Sequence, residues 1–184
     1  MGREVRMEFR TLRADEIDAR VSQVSEKGIV LLLYKDSRCD MRLLDETVGS
    51  MNWQRDHKEL KGNMYCGVGI WDDEKKTWIW KWDCGTESYT EKEKGEASDS
   101  FKRAGFNWGI GRELYTAPFI YLPCATVQKP NGKGYELNDP NELKGIFVRI
   151  FETEEINGKR VITKLVLSQR ANRQTGDVFT WERR

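Results

Sequence analysis

The sequence predicts an α+β fold: a β-β-β-α core, in which a three-stranded antiparallel meander packs on a long helix, with additional C-terminal β-hairpins. Three patterns predict it. Between residues 53 and 84, three strand-length runs follow one another, separated by Gly62-Asn63 and by the charged stretch 72–76. Over residues 91–114, apolar side chains recur at helical spacing. After residue 145, strand-like runs return around turn signals such as Asn157-Gly158. Strand and helix patterns are segregated rather than alternating as βαβ units, which is the mark of an α+β chain.

Taken in order, Ile17, Val21 and Val24 recur at helical spacing among charged residues, and Gly28 interrupts before the apolar run 29–34. This predicts a helix over 12–24 and then a strand. Met41, Leu44 and Val48 stand at i, i+3 and i+7, with Asp36 or Ser37 placed to cap the N-terminus and Gly49 to end a second helix. In the meander (53–60, 65–71, 78–84), Gly67 and Gly69 share one face of the middle strand, and Trp78, Trp80 and Trp82 share one face of the third. Indoles are therefore expected to lie across bare glycine backbone, as core or subunit packing more than as a base-stacking platform.

Along the long helix, Ala97, Phe101, Ala104 and Trp108 form one apolar stripe, while Lys102, Arg103 and Phe106 fall outside it as a basic and aromatic patch. Gly95, Gly105, Gly109 and Gly111 each cost a helix up to about 1 kcal/mol relative to Ala, which points to close backbone contact with a neighbour, a second subunit being one candidate. Pro118 terminates the element, and 123–140, rich in Pro, Gly, Asn and Lys, reads as a surface loop. Two hairpins follow, one turning at Asn157-Gly158 and one at residues 175–177. The expected organisation is a single domain over 1–184, with a core at about 12–122, a loop at about 123–144 and a β-hairpin extension at about 145–184.

Composition narrows the function. The chain has 184 residues, with 31 basic and 30 acidic, so its net charge of +1 excludes a general polycation and confines any nucleic-acid site to a local patch. From residue 156 onward, Lys159, Arg160, Lys164, Arg170, Arg173, Arg183 and Arg184 face only Asp177 and Glu182, a surplus that reads either as a solvated tail or as a basic surface. The four cysteines form no CxxC pair, so neither a zinc knuckle nor a disulfide framework is signalled. No apolar run reaches the roughly 20 residues of a membrane helix, and the charged N-terminus is unlike a secretory leader, so a soluble cytoplasmic protein is expected.

With a single histidine, His57, and no GxxxxGK[ST] phosphate loop, the sequence offers no catalytic residue, no nucleotide-driven chemistry and no cofactor site. The enzymatic alternative is a nuclease holding magnesium on Asp72, Asp73 and Glu74, whose place in a hairpin turn favours solvated charge instead. A passive single-strand coat of the oligonucleotide-barrel type is the other alternative.

Four stretches carry a family likeness: Arg42-Leu-Leu-Asp-Glu-Thr-Val-Gly49 with Asn52-Trp53; Asp83-Cys-Gly85; Lys94-Gly-Glu-Ala-Ser-Asp-Ser-Phe-Lys-Arg-Ala104; and Trp108-Gly-Ile-Gly-Arg-Glu-Leu-Tyr115. In order and spacing, over about residues 29–122, they resemble the phage single-strand DNA annealing proteins of the Sak type, in the superfamily of the eukaryotic Rad fifty-two protein. The resemblance implies a β-β-β-α core assembled into rings or filaments, with single-stranded DNA in a positively charged groove. It implies ATP-independent annealing of complementary strands in homologous recombination and repair.

The family's Lys-Arg pair on the long helix matches Lys102 and Arg103, and its arginine before the preceding helix matches Arg38. Lys35, Arg42, Arg112 and Lys92 complete the candidate DNA-binding set, together with Phe106, which stands where the eukaryotic pattern has another basic residue and suggests stacking in place of charge. Single-stranded DNA and further copies of the chain are the expected partners, with a phage exonuclease or host single-strand-binding protein as a further candidate.

Overall fold

The computed structural model describes residues 7–85, 92–139, 141–171 and 174–184, the side chains of 92–94 and 171 excepted. It is a mixed α+β structure with two α-helices, and every strand pairing among the described residues is antiparallel. In chain order the elements are β1 (Asp18–Ser25), β2 (Gly28–Tyr34), α1 (Ser37–Val48), β3 (Trp53–Leu60), β4 (Asn63–Asp72), β5 (Thr77–Cys84) and α2 (Lys92–Trp108). There follow β6 (Ile120–Pro123), β7 (Thr126–Gln128), β8 (Tyr135–Leu137), β9 (Ile146–Ile156), β10 (Lys159–Ala171) and β11 (Gln174–Glu182). They gather into two compact units, one of residues 1–11 and 35–112, the other of 12–34 and 113–184.

The first unit holds α1, the β3-β4-β5 meander and α2. As the sequence indicates, Asp36 caps α1 by accepting the Cys39 N–H at 2.8 Å, and Gly49, at φ 85°, closes it. Lys61 and Gly62, at φ 54° and 77°, form the two-residue turn that joins β3 to β4 with the twist a hairpin needs. Gly67 pairs with Trp82 and Gly69 with Trp80. A Cβ at Gly67 would stand 2.5 Å from the Trp82 ring, so the indoles do lie across bare backbone, stacked on each other at 5.6 Å. On the other face of the meander, the buried Cys66, Val68 and Ile70 meet α2 through Phe101 and Ala104, and the Trp108 indole N–H donates to the Val68 carbonyl at 2.8 Å.

The second helix is shorter than the 91–114 pattern predicts. It stops at Trp108, after 17 residues, because Gly109 takes φ 104°. The Gly109 N–H donates to Phe106 O at 3.0 Å and the Ile110 N–H to Gly105 O at 3.1 Å, the paired bonds of a Schellman stop, and Ile110 is buried behind them. A separate 3-10 turn then covers Arg112–Thr116.

In the second unit, β1-β2-β6 and β9-β10-β11 are three-stranded sheets. The helix expected over 12–24 is instead a 3-10 turn, Ala14–Glu16, followed by β1. A bulge between Val21 and Gln23 lets Val21 pair with Leu31 and Val24 with Ile29, so two valines three residues apart share one sheet face. That spacing imitates a helix. Asn157 and Gly158, at φ 52° and 71°, make the β9-β10 turn that their sequence announces. The stretch read as a loop holds a short hairpin, β7-β8.

Candidate functional site

Three of the candidate residues, Lys35, Lys102 and Phe106, meet at a buried ion pair. The Lys35 ammonium lies 2.5 Å from Asp40 Oδ1, with side chains 1% and 0% exposed. Asp40 sits on the apolar face of α1 beside Leu43 and Leu44, and α2 makes room for it at Gly105, where a Cβ would fall on Asp40 Oδ1. The cost of Gly105 in a helix is therefore explained within the chain. The Phe106 ring closes the pocket, 4.3 Å from the Lys35 nitrogen, which it meets as a cation–π partner. Asp40 Oδ2 is buried with no hydrogen-bond partner among the described residues.

The electrostatics follow from that enclosure. Burial pushes the Asp40 carboxyl up to about 6, against the pull of Lys35 and of Lys102. Burial also lowers Lys35 from the usual lysine range, opposed mainly by Asp40 and assisted by the like charge of Lys102. The Lys102 ammonium thus acts on the same cluster, at 23% exposure and 4.0 Å from the Asp99 carboxylate.

Around this cluster the candidates divide. Arg38 is exposed in the first turn of α1 and has no ionic partner among the described residues, and Arg42 is exposed one turn later on the same face. Arg103 diverges from its neighbour Lys102: it is 43% exposed and turns to β5, its Nε 3.3 Å from Asp83 Oδ1. Arg112 is exposed but donates from Nε to Phe106 O at 2.6 Å and from Nη2 to Asn107 O at 2.8 Å, tying down the last carbonyls of α2. Lys35 is enclosed, and the Lys92 side chain lies outside the described residues. Arg38, Arg42, Lys102, Arg103 and Phe106 keep exposed surface.

Three features escape sequence reasoning. Asp40 is one, although an acid three and four residues before Leu43 and Leu44 on an apolar stripe is a signal for a buried charge. Lys81 is the second: its ammonium donates to Asn107 O at 2.9 Å and lies 4.3 Å from the Trp108 ring, and burial lowers its pKa. The third is Arg55 on β3, which meets the Phe101 ring at 5.3 Å. Both of these depend on a cross-element register.

The arrangement can hold anions and flat rings. In the β4-β5 turn, Lys75 holds Asp72 at 2.6 Å and Lys76 holds Asp73 at 2.8 Å, so these two acids are ion-paired locally. Among the described residues no three His, Cys, Asp or Glu side chains gather as metal ligands, and no helix is long and apolar enough to cross a membrane. Compared with known protein families, with characterised proteins and with solved structures, the chain gives no match.

Proposed function

We propose that the chain binds single-stranded DNA along the α1 and α2 surface and anneals complementary strands as a homo-oligomer without ATP. The observation that carries this reading is the approach of Lys102 and Phe106 from α2 to the buried Lys35–Asp40 pair, across more than 60 residues of sequence, with Arg38 and Arg42 exposed along α1. The likeness of residues 29–122 to the Sak-type proteins supports it, with β3, β4, β5 and α2 standing for the β-β-β-α core. Annealing needs phosphates neutralised and base edges left free for pairing. Arginine and lysine on two adjacent helices suit the first need.

In this reading the candidates take different roles. Arg38, Arg42, Lys102 and Arg103 hold phosphates and Phe106 stacks on a base or sugar. Lys35 and Arg112 position the surface, Lys35 by fixing α1 to α2 and Arg112 by ending α2. The work belongs to homologous recombination and repair in a bacterial cytoplasm, beside a phage exonuclease or host single-strand-binding protein.

Binding of an oligonucleotide across a salt series tests the site. Arg38→Ala with Lys102→Ala is expected to weaken binding and to make the slope of log K against log salt shallower by about 0.7 for each lost phosphate contact. An unchanged slope contradicts the assignment.

A further inference from the structure

We infer that the free edge of β3 is a two-fold contact surface for a second copy of this chain, formed by antiparallel pairing centred on His57. The strand is the outer member of the β3-β4-β5 sheet, pairing among the described residues only with β4, and seven of its eight positions are exposed. It holds no proline, and its register with β4 runs without a bulge from Trp53 to Leu60. A regular, open edge of this length is a template for another strand, and proteins that need to stay single usually interrupt it.

The side chains identify the occupant. Reading outward from His57, the strand carries Asp56 and Lys58, then Arg55 and Glu59. The signs invert about that centre. An antiparallel copy in this register sets Asp56 opposite the second copy's Lys58 and Arg55 opposite its Glu59, and the two-fold axis repeats both pairs. Opposite charges directly across a strand pair stabilise it and like charges oppose it. Centring on Arg55, Asp56, Lys58 or Glu59 instead would set a charge against its own copy, and parallel in-register stacking would do so at every charged position. The pattern therefore favours one register with one partner, the same chain.

The backbone agrees. The two-residue turn at Lys61-Gly62 makes Leu60 and Asn63 the hydrogen-bonded pair, so residues 54, 56, 58 and 60 are bonded to β4. The Trp71 N–H donating to Asn52 O at 3.0 Å continues that alternation. Residues 53, 55, 57 and 59 then turn N–H and C=O to the free edge, and a two-fold axis at residue 57 places these groups opposite their own kind in a hydrogen-bonding register.

The contact deepens the oligomeric part of the proposed function, and its purpose rests on that reading. A two-fold axis reverses the polarity of whatever each copy holds, which is the relation complementary strands must have before they pair. The assembly itself is tested without DNA, by molar mass from sedimentation equilibrium of the full chain at low salt, so a failure of the DNA-binding reading would leave this result standing.

Glu59→Arg sets two arginines against each other twice per contact, and is expected to weaken self-association at least about tenfold. Arg55→Glu combined with Glu59→Arg reverses both signs and is expected to restore it. His57→Pro removes an edge donor while sparing the bonds to β4, and is expected to abolish the contact, with circular dichroism confirming that each variant folds. Association indifferent to Glu59→Arg or to His57→Pro, or a charge swap that fails to restore it, overturns the inference.

Discussion

Lys35 and Asp40 set the terms at the residue scale, because a pair of charges that close to complete burial is held by each other and by little else. Replacing one partner leaves the other charged and enclosed. Lys35→Met is expected to cost about 3–5 kcal/mol of stability, and Lys35→Met with Asp40→Leu to recover most of it. Chemical denaturation checks both, and a lysine acting only through DNA would show neither. The pH dependence has an unusual sign. Because burial raises Asp40 to about 6, the folded chain takes up a proton there while the unfolded chain, at 3.8, is still ionised. The contribution of Asp40 is fully present below the unfolded value and is lost as pH rises through about 6. Relative to Asp40→Asn, the parent chain should gain stability from pH 7 down to pH 4, by up to about 3 kcal/mol. An ordinary surface salt bridge would lose stability over that range. The exposed or half-exposed places of Arg38, Lys102 and Phe106 follow from their positions outside the apolar stripes. The fate of Lys35 does not, since a lysine reads as exposed unless its buried acid partner is found first.

For the elements, what was readable depended on whether the signal was local. The α1 cap at Asp36 and its stop at Gly49 are set within one turn, and the Asn157-Gly158 turn within two residues, whereas the first hairpin turns at Lys61-Gly62, one residue before the expected Gly62-Asn63, because Lys61 takes the positive φ of 54° and Asn63 pairs with Leu60. The glycine and tryptophan ladder followed from strand alternation alone. By contrast, β1 hid behind a helical spacing that its bulge converts to a strand face, and the end of α2 turned on the handedness of Gly109 rather than on a count of apolar positions. Gly105 shows how a local cost is set by a distant group. On propensity, Gly105→Ala would stabilise α2 by about 1 kcal/mol. Its methyl would instead meet the Asp40 carboxylate, so the substitution is expected to destabilise the fold by about 1–3 kcal/mol. A raised denaturation midpoint would show that α1 and α2 do not meet there.

At the scale of the whole molecule, the chain interleaves its two units: β2 leaves the N-terminal segment to pair with β6, Ile29 opposite Leu122, with residues 35–112 of the other unit between them in sequence. No local pattern announces a pairing of that separation. The candidate residues all belong to the first unit, residues 35–112. A single-strand annealer must do more than bind, since coating a strand also lowers free DNA without helping it pair. The most direct measurement is therefore the rate at which two complementary oligonucleotides become duplex when the chain is added without ATP or magnesium. Accelerated pairing by the parent chain, lost in Arg38→Ala with Lys102→Ala while molar mass and folding are retained, is the predicted result. Single-strand binding with no acceleration, or acceleration indifferent to those two residues, would contradict the account.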